Sequence, residues 1–595
     1  MPKRQLRLSF LLPSVRAQFG IGGESATLSG DSYVDFLMFT YLPPERRPAN
    51  KPTEKPWLLL LLAFVWLWPG IIHHDLWKPN EPVLHAAIQS VLAGGNVWVP
   101  EVAGQVYVEQ PPLYVWVGSL LQAAFSPWLM SEFTAIRLTT VLFMSIGLAC
   151  AGGAGRHLLG RRHGRSVVLI LIGCVGLMLA GHRMDAWAIT FAGFAMSLYA
   201  MTRANDHTAL AGFGLALGWV LVFLSSSLSE LLLVMMIAIS MLVFARWRSR
   251  RYAMILVMAL MMAVPMLSIW PYAMYQSHPA AFALWWNDYA FGGFGGWTHS
   301  AIGHEFGYYF EVALWYVLPA WPLALWTFLK RDKVDHRVWQ VCGVWLLVGI
   351  LWLGLMRETY TENALILLLP LAVLGAAQLD SLRRGAVAFL NWFGVMLFGA
   401  LAIFLWLGFA AMNFGWPAKL AERSAYFSPY YRPDFDYFPI TIAVLFTLLW
   451  LWAVTRKHVR GRQAVTNWAA GMTFGWSLLM TLFLPWLDAA KSYRPVVEQF
   501  EAALHPNTLQ RLQSGQDCLY IDNQDNQAGV LAWQAYGNVT LNTQDAQACH
   551  YRLLKLKADD AQVAGGWQIL WQGHRPREDY EHFILVHKQQ FDALF

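Results

Sequence analysis

Long apolar runs separated by short polar links make up most of this chain. Crossing the hydrocarbon core of a bilayer takes about 20 consecutive apolar residues in a helix. Runs of that order lie near 57–73, 134–155, 167–182, 186–203, 209–225, 228–245, 253–273, 309–329, 338–355, 363–379, 385–411, 438–455 and 464–487. They predict an all-α polytopic membrane protein with about thirteen transmembrane helices. The pattern changes after 487. Short strand-like segments appear at Cys518 to Ile521, Asn538 to Leu541 and Phe583 to His587, and Val496 to Leu504 reads as a helix. Residues 488–595 are thus expected to form a small soluble α/β domain, and 57–487 the transmembrane domain. Residues 1–56 show no spanning run and no signal peptide. They are read as a disordered cytoplasmic segment, with Met38 an alternative to Met1 as the start.

The links sort by charge. Basic clusters fall at Arg46-Arg47, Arg161 to Arg165, Arg246 to Arg251, Lys330 to Arg337, Arg383-Arg384 and Arg456 to Arg462. All of them share one side if the N-terminus is cytoplasmic, in agreement with the positive-inside rule. The links 74–133, 183–185, 226–227, 274–308, 356–362 and 412–437, and the C-terminal domain, then face outward. For a bacterial inner membrane that side is the periplasm. The apolar run Leu113 to Phe125 would reverse every later link if it spanned, so it is read as a helix on the outer surface.

Composition agrees with this class. The chain is 57% hydrophobic and 13% charged and holds 31 tryptophans, which suit the interfacial belts of a membrane protein. The net charge of +6 is accounted for by topology, so nucleic acid is not an expected partner. Cys150, Cys174 and Cys342 sit in apolar runs and read as inert core. Cys518 and Cys549, in the polar C-terminal part, are the candidate disulfide for an oxidising compartment, with two free thiols the alternative.

The chemistry concentrates in the first outer loop. Asp75 opens it, Lys78-Pro-Asn-Glu-Pro82 follows, and apolar positions from Val83 to Leu92 repeat at helical spacing. Glu81 at that helix start is favoured by the helix dipole, with or without a function. Gly94-Gly95 turns the chain, which returns through Tyr107-Val-Glu-Gln-Pro-Pro112 and leaves Glu109 beside the next helix.

Pro79-Asn-Glu-Pro82, a surface helix, the glycine pair, Trp98-Val-Pro100 and Tyr107-x-Glu-Gln-Pro-Pro-Leu113 together resemble the first outer loop of the GT-C glycosyltransferases. The similarity is to the branch holding the bacterial aminoarabinose (lipid A) transferase and the protein O-mannosyltransferases, and it covers roughly 57–380. The resemblance implies inverting transfer of a sugar from a polyprenyl (undecaprenyl) phosphate carrier at the periplasmic face. The expected acceptor is lipid A or another envelope glycan, or alternatively a protein, with membrane lipids as further partners. Two positions depart from the family pattern. Asn80 stands where the family has its catalytic aspartate, and Gln110 where it has a lysine. The base is therefore sought among Asp75, Glu81, Glu109 and Asp185, the last of these in His182-Arg-Met-Asp185 of the second outer loop. A hydroxyl acceptor needs such a carboxylate within hydrogen-bond reach. The leaving phosphate needs positive charge, for which Lys78, Arg137, Arg183 and Arg357 are candidates. The resemblance adds Tyr360. It also implies a divalent metal (Zn, Mg or Mn) on Glu109 and His304, with His299 as fallback, although two ligands are half a zinc site. Gly292, Gly293, Gly295 and Gly296 are expected to form a mobile flap. A lipid or sugar transporter would instead show internal repeats and mid-membrane charges. No repeat is visible, and Glu230, after a run of serines, is the exception to watch. A non-catalytic relative is the remaining alternative.

Overall fold

In the computed structural model, residues 56–595 are described, apart from 205, 434–435, 456–460, 522–530, 544–546, 557–566, 579–580 and 589–595. The expected disordered segment, the choice between Met1 and Met38, and most of the Arg456 to Arg462 cluster lie outside the described residues.

Helices account for most of Trp57 to Lys491. Among the described residues, six are long and apolar enough to cross a membrane alone: Glu132–Leu159, Thr208–Ser225, Arg250–Ser277, His336–Leu355, Arg384–Phe414 and Tyr437–Val454. Two more qualify only as bent pairs, Phe306–Tyr316 with Ala320–Leu329 at 98° and Gly461–Leu482 with Leu484–Lys491 at 67°, for up to eight. The other expected spans are shorter apolar helices or broken ones, such as His163–Ile172 followed by Val175–Ala180. Among the described residues, length and composition of the helices therefore support six to eight crossings and do not confirm the expected thirteen. An apolar run reports the solvent it prefers and is silent on where its backbone breaks.

Close packing of small residues joins the central helices, as in membrane bundles generally. Trp187–Thr202 lies between Glu132–Leu159 and Thr208–Ser225. A Cβ on Gly193 would come within 2.8 Å of the Gly218 carbonyl oxygen, so these two backbones meet only because glycine stands there.

The first loop is structured throughout. Helix Asn80–Leu92 is followed by a small hairpin, β1 Glu101–Val102 and β2 Gln105–Val106, and by helix Leu113–Phe125. At 13 residues that last helix reaches only about 20 Å, short of the roughly 30 Å core.

The C-terminal part has its own core, centred on Tyr493, Phe500, Trp533, Phe583 and Leu585. It holds a five-stranded mixed sheet of β3 Leu519–Ile521, β4 Leu541–Asn542, β5 Tyr551–Leu556, β6 Trp567–His574 and β7 His582–Lys588, in the order β4-β3-β5-β7-β6. β3 pairs parallel with β4 and β5, and the other pairs are antiparallel. Helices Arg494–Ala503 and Leu531–Gly537 belong to this core. Cys518 and Cys549 are joined as a disulfide.

This part grips the first loop. Arg494 holds both Asp75 carboxylate oxygens, Asp488 accepts from the Trp77 indole at 2.9 Å, and Tyr536 Oη accepts from the Leu76 amide at 2.8 Å.

Candidate active site

Helix Asn80–Leu92 is amphipathic, and its first turn faces the bundle. Glu81 is 5% exposed and fully engaged. Its Oε2 accepts from Arg137 at 2.7 Å and from the Trp77 amide at 2.8 Å, and its Oε1 from the Met184 amide at 2.9 Å. Burial alone would raise its pKa, but the Arg137 guanidinium and these amides hold it below the ordinary carboxylate value. Arg137, itself fully buried, also donates to the carbonyls of His74, at 2.5 Å, and Asp75, at 2.7 Å. Glu81 and Arg137 thus lock the first loop to the second. Neither is among the residues lining the cavity beside them.

That lock sets Asn80 against Asp185. Asn80 Nδ2 donates to Asp185 Oδ2 at 2.8 Å. Asp185 is 2% exposed, and its Oδ1 has no hydrogen-bond partner among the described residues. Burial raises its pKa to about 6, against the lowering effects of Arg183 and the Asn80 hydrogen bond.

Both residues line a cavity of about 480 Å³ at the end of the bundle that meets the C-terminal part. Glu109, Gln110, Arg183 and Tyr360 line it too. Glu109 opens onto the cavity and has no partner among the described residues, and enclosure raises its pKa. Gln110 Oε1 is buried without a partner. Arg183 forms an ion pair with Glu362. Tyr360 Oη donates to Glu358 Oε2 at 2.9 Å, and burial, then Glu358, pushes the phenol up to about 12.

Several expected residues lie elsewhere. Asp75 is bound to Arg494 at 2.7 Å, and Lys78 to Glu578 at 3.0 Å and Glu581 at 3.5 Å, so both tie the loop to the C-terminal part. Arg357 has an exposed side chain outside the cavity lining, while its amide donates to the Gly293 carbonyl at 3.0 Å. His304 is exposed and away from the lining that holds Glu109. His299 is paired with Asp288 at 2.6 Å. Among the described residues no three His, Cys, Asp or Glu side chains converge in a way that could hold a metal. The donor set does not fit the expected metal pair, and no step is assigned to a metal.

Gly292 and Gly293, from the run expected to form a flap, line this cavity. Gly293 O accepts the amides of Arg357 and Glu358, and a Cβ on Gly296 would meet the Asn287 backbone at 2.0 Å. Close backbone approach, which only glycine allows, is what the run provides.

Other lining residues were not singled out as site residues: Ser225 to Ser227, Glu230, Asp288, Tyr289, Glu358, Glu362 and Asn363. The available signal was the scarcity of charge. In a chain with 13% charged residues, an acid on an apolar helix is itself informative.

No protein-family model matches the chain, and no curated protein matches it. Among solved structures, ArnT from Cupriavidus metallidurans in the apo state is similar over 89% of this chain and 97% of that one, with a TM-score of 0.61 and 15% identity. The same protein bound to undecaprenyl phosphate gives a TM-score of 0.62 at 14% identity, over the same shares. The chain therefore has the fold of ArnT.

Proposed function

We propose that this chain is a multi-pass inner-membrane glycosyltransferase. It moves a sugar from a polyprenyl phosphate carrier to a hydroxyl of lipid A or another envelope glycan on the periplasmic side, with Asp185 as general base. One observation carries this reading: a buried carboxylate, oriented by Asn80, with one oxygen unpartnered, lines a partly open cavity. Asn80 stands where the resembled family has its aspartate, and it directs the carboxylate that the second loop supplies. Similarity of fold to an ArnT structure bound to undecaprenyl phosphate supports the carrier class.

Asp185 takes the acceptor's proton as the acceptor oxygen bonds to the sugar C1. The bond from C1 to the phosphate oxygen breaks with its electron pair, and the configuration inverts. Arg183, the cation of the lining, offsets the charge that grows on the departing phosphate. Enclosure strengthens both effects by lowering the local dielectric. On this reading the C-terminal part is a periplasmic domain that holds the first loop in place.

The test is a mass spectrum of lipid A and core oligosaccharide from a deletion strain complemented with wild-type or Asp185→Asn protein at matched membrane levels. A sugar-sized mass should vanish on deletion and return only with the wild type. Equal rescue by Asp185→Asn would remove Asp185 as base. An unchanged spectrum on deletion would remove lipid A and core as acceptors.

A further inference from the structure

We infer that the cavity accepts a donor sugar without an acidic group, and that Glu230 sets this specificity; the inference rests on the proposed glycosyl transfer.

Among the described residues lining the cavity, carboxylates come from Glu109, Asp185, Glu230, Asp288, Glu358 and Glu362, and the one cation is Arg183. Arg183 is already paired with Glu362. In a partly buried space like charges repel more than in water. A uronic acid would add a further carboxylate with no spare cation to meet it. Hydroxyl groups, by contrast, bring donors. The lining has acceptors waiting for them, since Asp185 Oδ1 and Gln110 Oε1 are buried and unpartnered.

Glu230 is the best placed of the acids to read the sugar. It is 6% exposed and sits in the first turn of helix Leu228–Ser240. Its Oε2 accepts from Ser227 Oγ and, at 3.0 Å, from Ser229 Oγ, so the carboxylate is held in one orientation. Its Oε1 takes no hydrogen bond from the described residues. Gly292, at φ +53°, makes room for it: a Cβ there would lie 2.7 Å from Ser227 Oγ and 3.5 Å from Glu230 Oε2. Behind Glu230 the space narrows to an apolar recess of about 10 Å³ beside Phe194 and Leu233, too small for a ring. A sugar that reaches this end of the cavity meets the Glu230 carboxylate and goes no deeper. Asp288 and Glu358 already have partners in His299 and Tyr360, and Glu109 has no comparable support.

The experiment measures binding to the purified full chain in detergent, by ligand-induced thermal shift and titration. The probes are undecaprenyl phosphate alone, undecaprenyl phosphate glucose and undecaprenyl phosphate galacturonate. Wild-type protein should bind the glucose probe more tightly than the bare carrier, and the galacturonate probe less tightly. Glu230→Gln keeps the volume and removes the charge. It should lose about tenfold in preference for glucose over galacturonate, the scale of one hydrogen bond to a charged group, and bind the bare carrier no less tightly than wild type does, which also shows that it is folded. If the wild type binds both sugar probes equally, or Glu230→Gln keeps the wild-type ratio, the specificity inference is overturned while carrier binding stands. If the bare carrier does not bind the wild type, the proposed function falls, and this inference with it.

Discussion

Asp185 and Asn80 show how one carboxylate can be prepared for base chemistry. Burial raises the carboxyl to about 6, while the Asn80 amide favours its ionised form. Activity that depends on ionised Asp185 should rise with pH through about 6 and then level off. Asn80→Ala removes a donor to the charged form, so the rising limb should move to higher pH. A pH–rate profile of both proteins checks the sign, and an unmoved limb would separate Asn80 from the base. Asp185→Asn should lower kcat by about 100-fold or more, the scale of a lost general base, with carrier binding retained. Asn80 was legible as a departure from the family pattern. Its use was not, because its partner lies more than a hundred residues away in sequence.

At the scale of elements, one buried ion pair joins the helix Asn80–Leu92 to the helix Glu132–Leu159, and the Met184 amide ties the same carboxylate to the second loop. Glu81 looked like a catalytic candidate because an acid at a helix N-terminus suits either role. The structure uses all of its strong contacts for Arg137 and two amides. Glu81→Ala would strand a fully buried guanidinium, which typically costs about 3–5 kcal/mol. A fall in melting temperature in detergent, along with loss of activity, is the expected result. An unchanged melting temperature would show that the lock is not structural. The bundle helices teach a related lesson. Apolar runs revealed that helices would be there, but the bend between Tyr316 and Ala320 depends on how neighbours pack, which no local pattern records.

The whole molecule is a helical bundle whose first loop is clasped by a sheet-bearing C-terminal part. That clasp depends on the C-terminal part staying folded. The Cys518–Cys549 bridge closes a sequence separation of 31 residues. Chain-entropy arguments put its contribution at about 3–4 kcal/mol. A Cys518→Ser, Cys549→Ser double variant should become sensitive to protease in the C-terminal part while the bundle stays resistant. Equal resistance of both forms would mean that the core around Trp533 suffices alone. β3 and β7 were legible at Cys518 to Ile521 and Phe583 to His587, whereas the expected Asn538 to Leu541 meets β4 only at Leu541. β5 and β6 were not legible, because Tyr551–Leu556 mixes basic and apolar residues and Trp567–His574 follows no clean alternation.

The sequence by itself determined the solvent. Its apolar runs exceed what a water-soluble core can hide, and the order of links, loops and a polar C-terminal part follows from them. It also marked the first loop, since turn prolines, paired glycines and an amphipathic helix are local signals. Tertiary structure alone decided which acids share the cavity. Asp185, Glu109 and Glu230 come from three separate elements. Asp75, Glu81 and Lys78 are equally acidic or basic in sequence but are spent on partners at 2.7–3.0 Å. A carboxylate's chemistry is set by its burial and its neighbours, and those exist only once distant segments have packed.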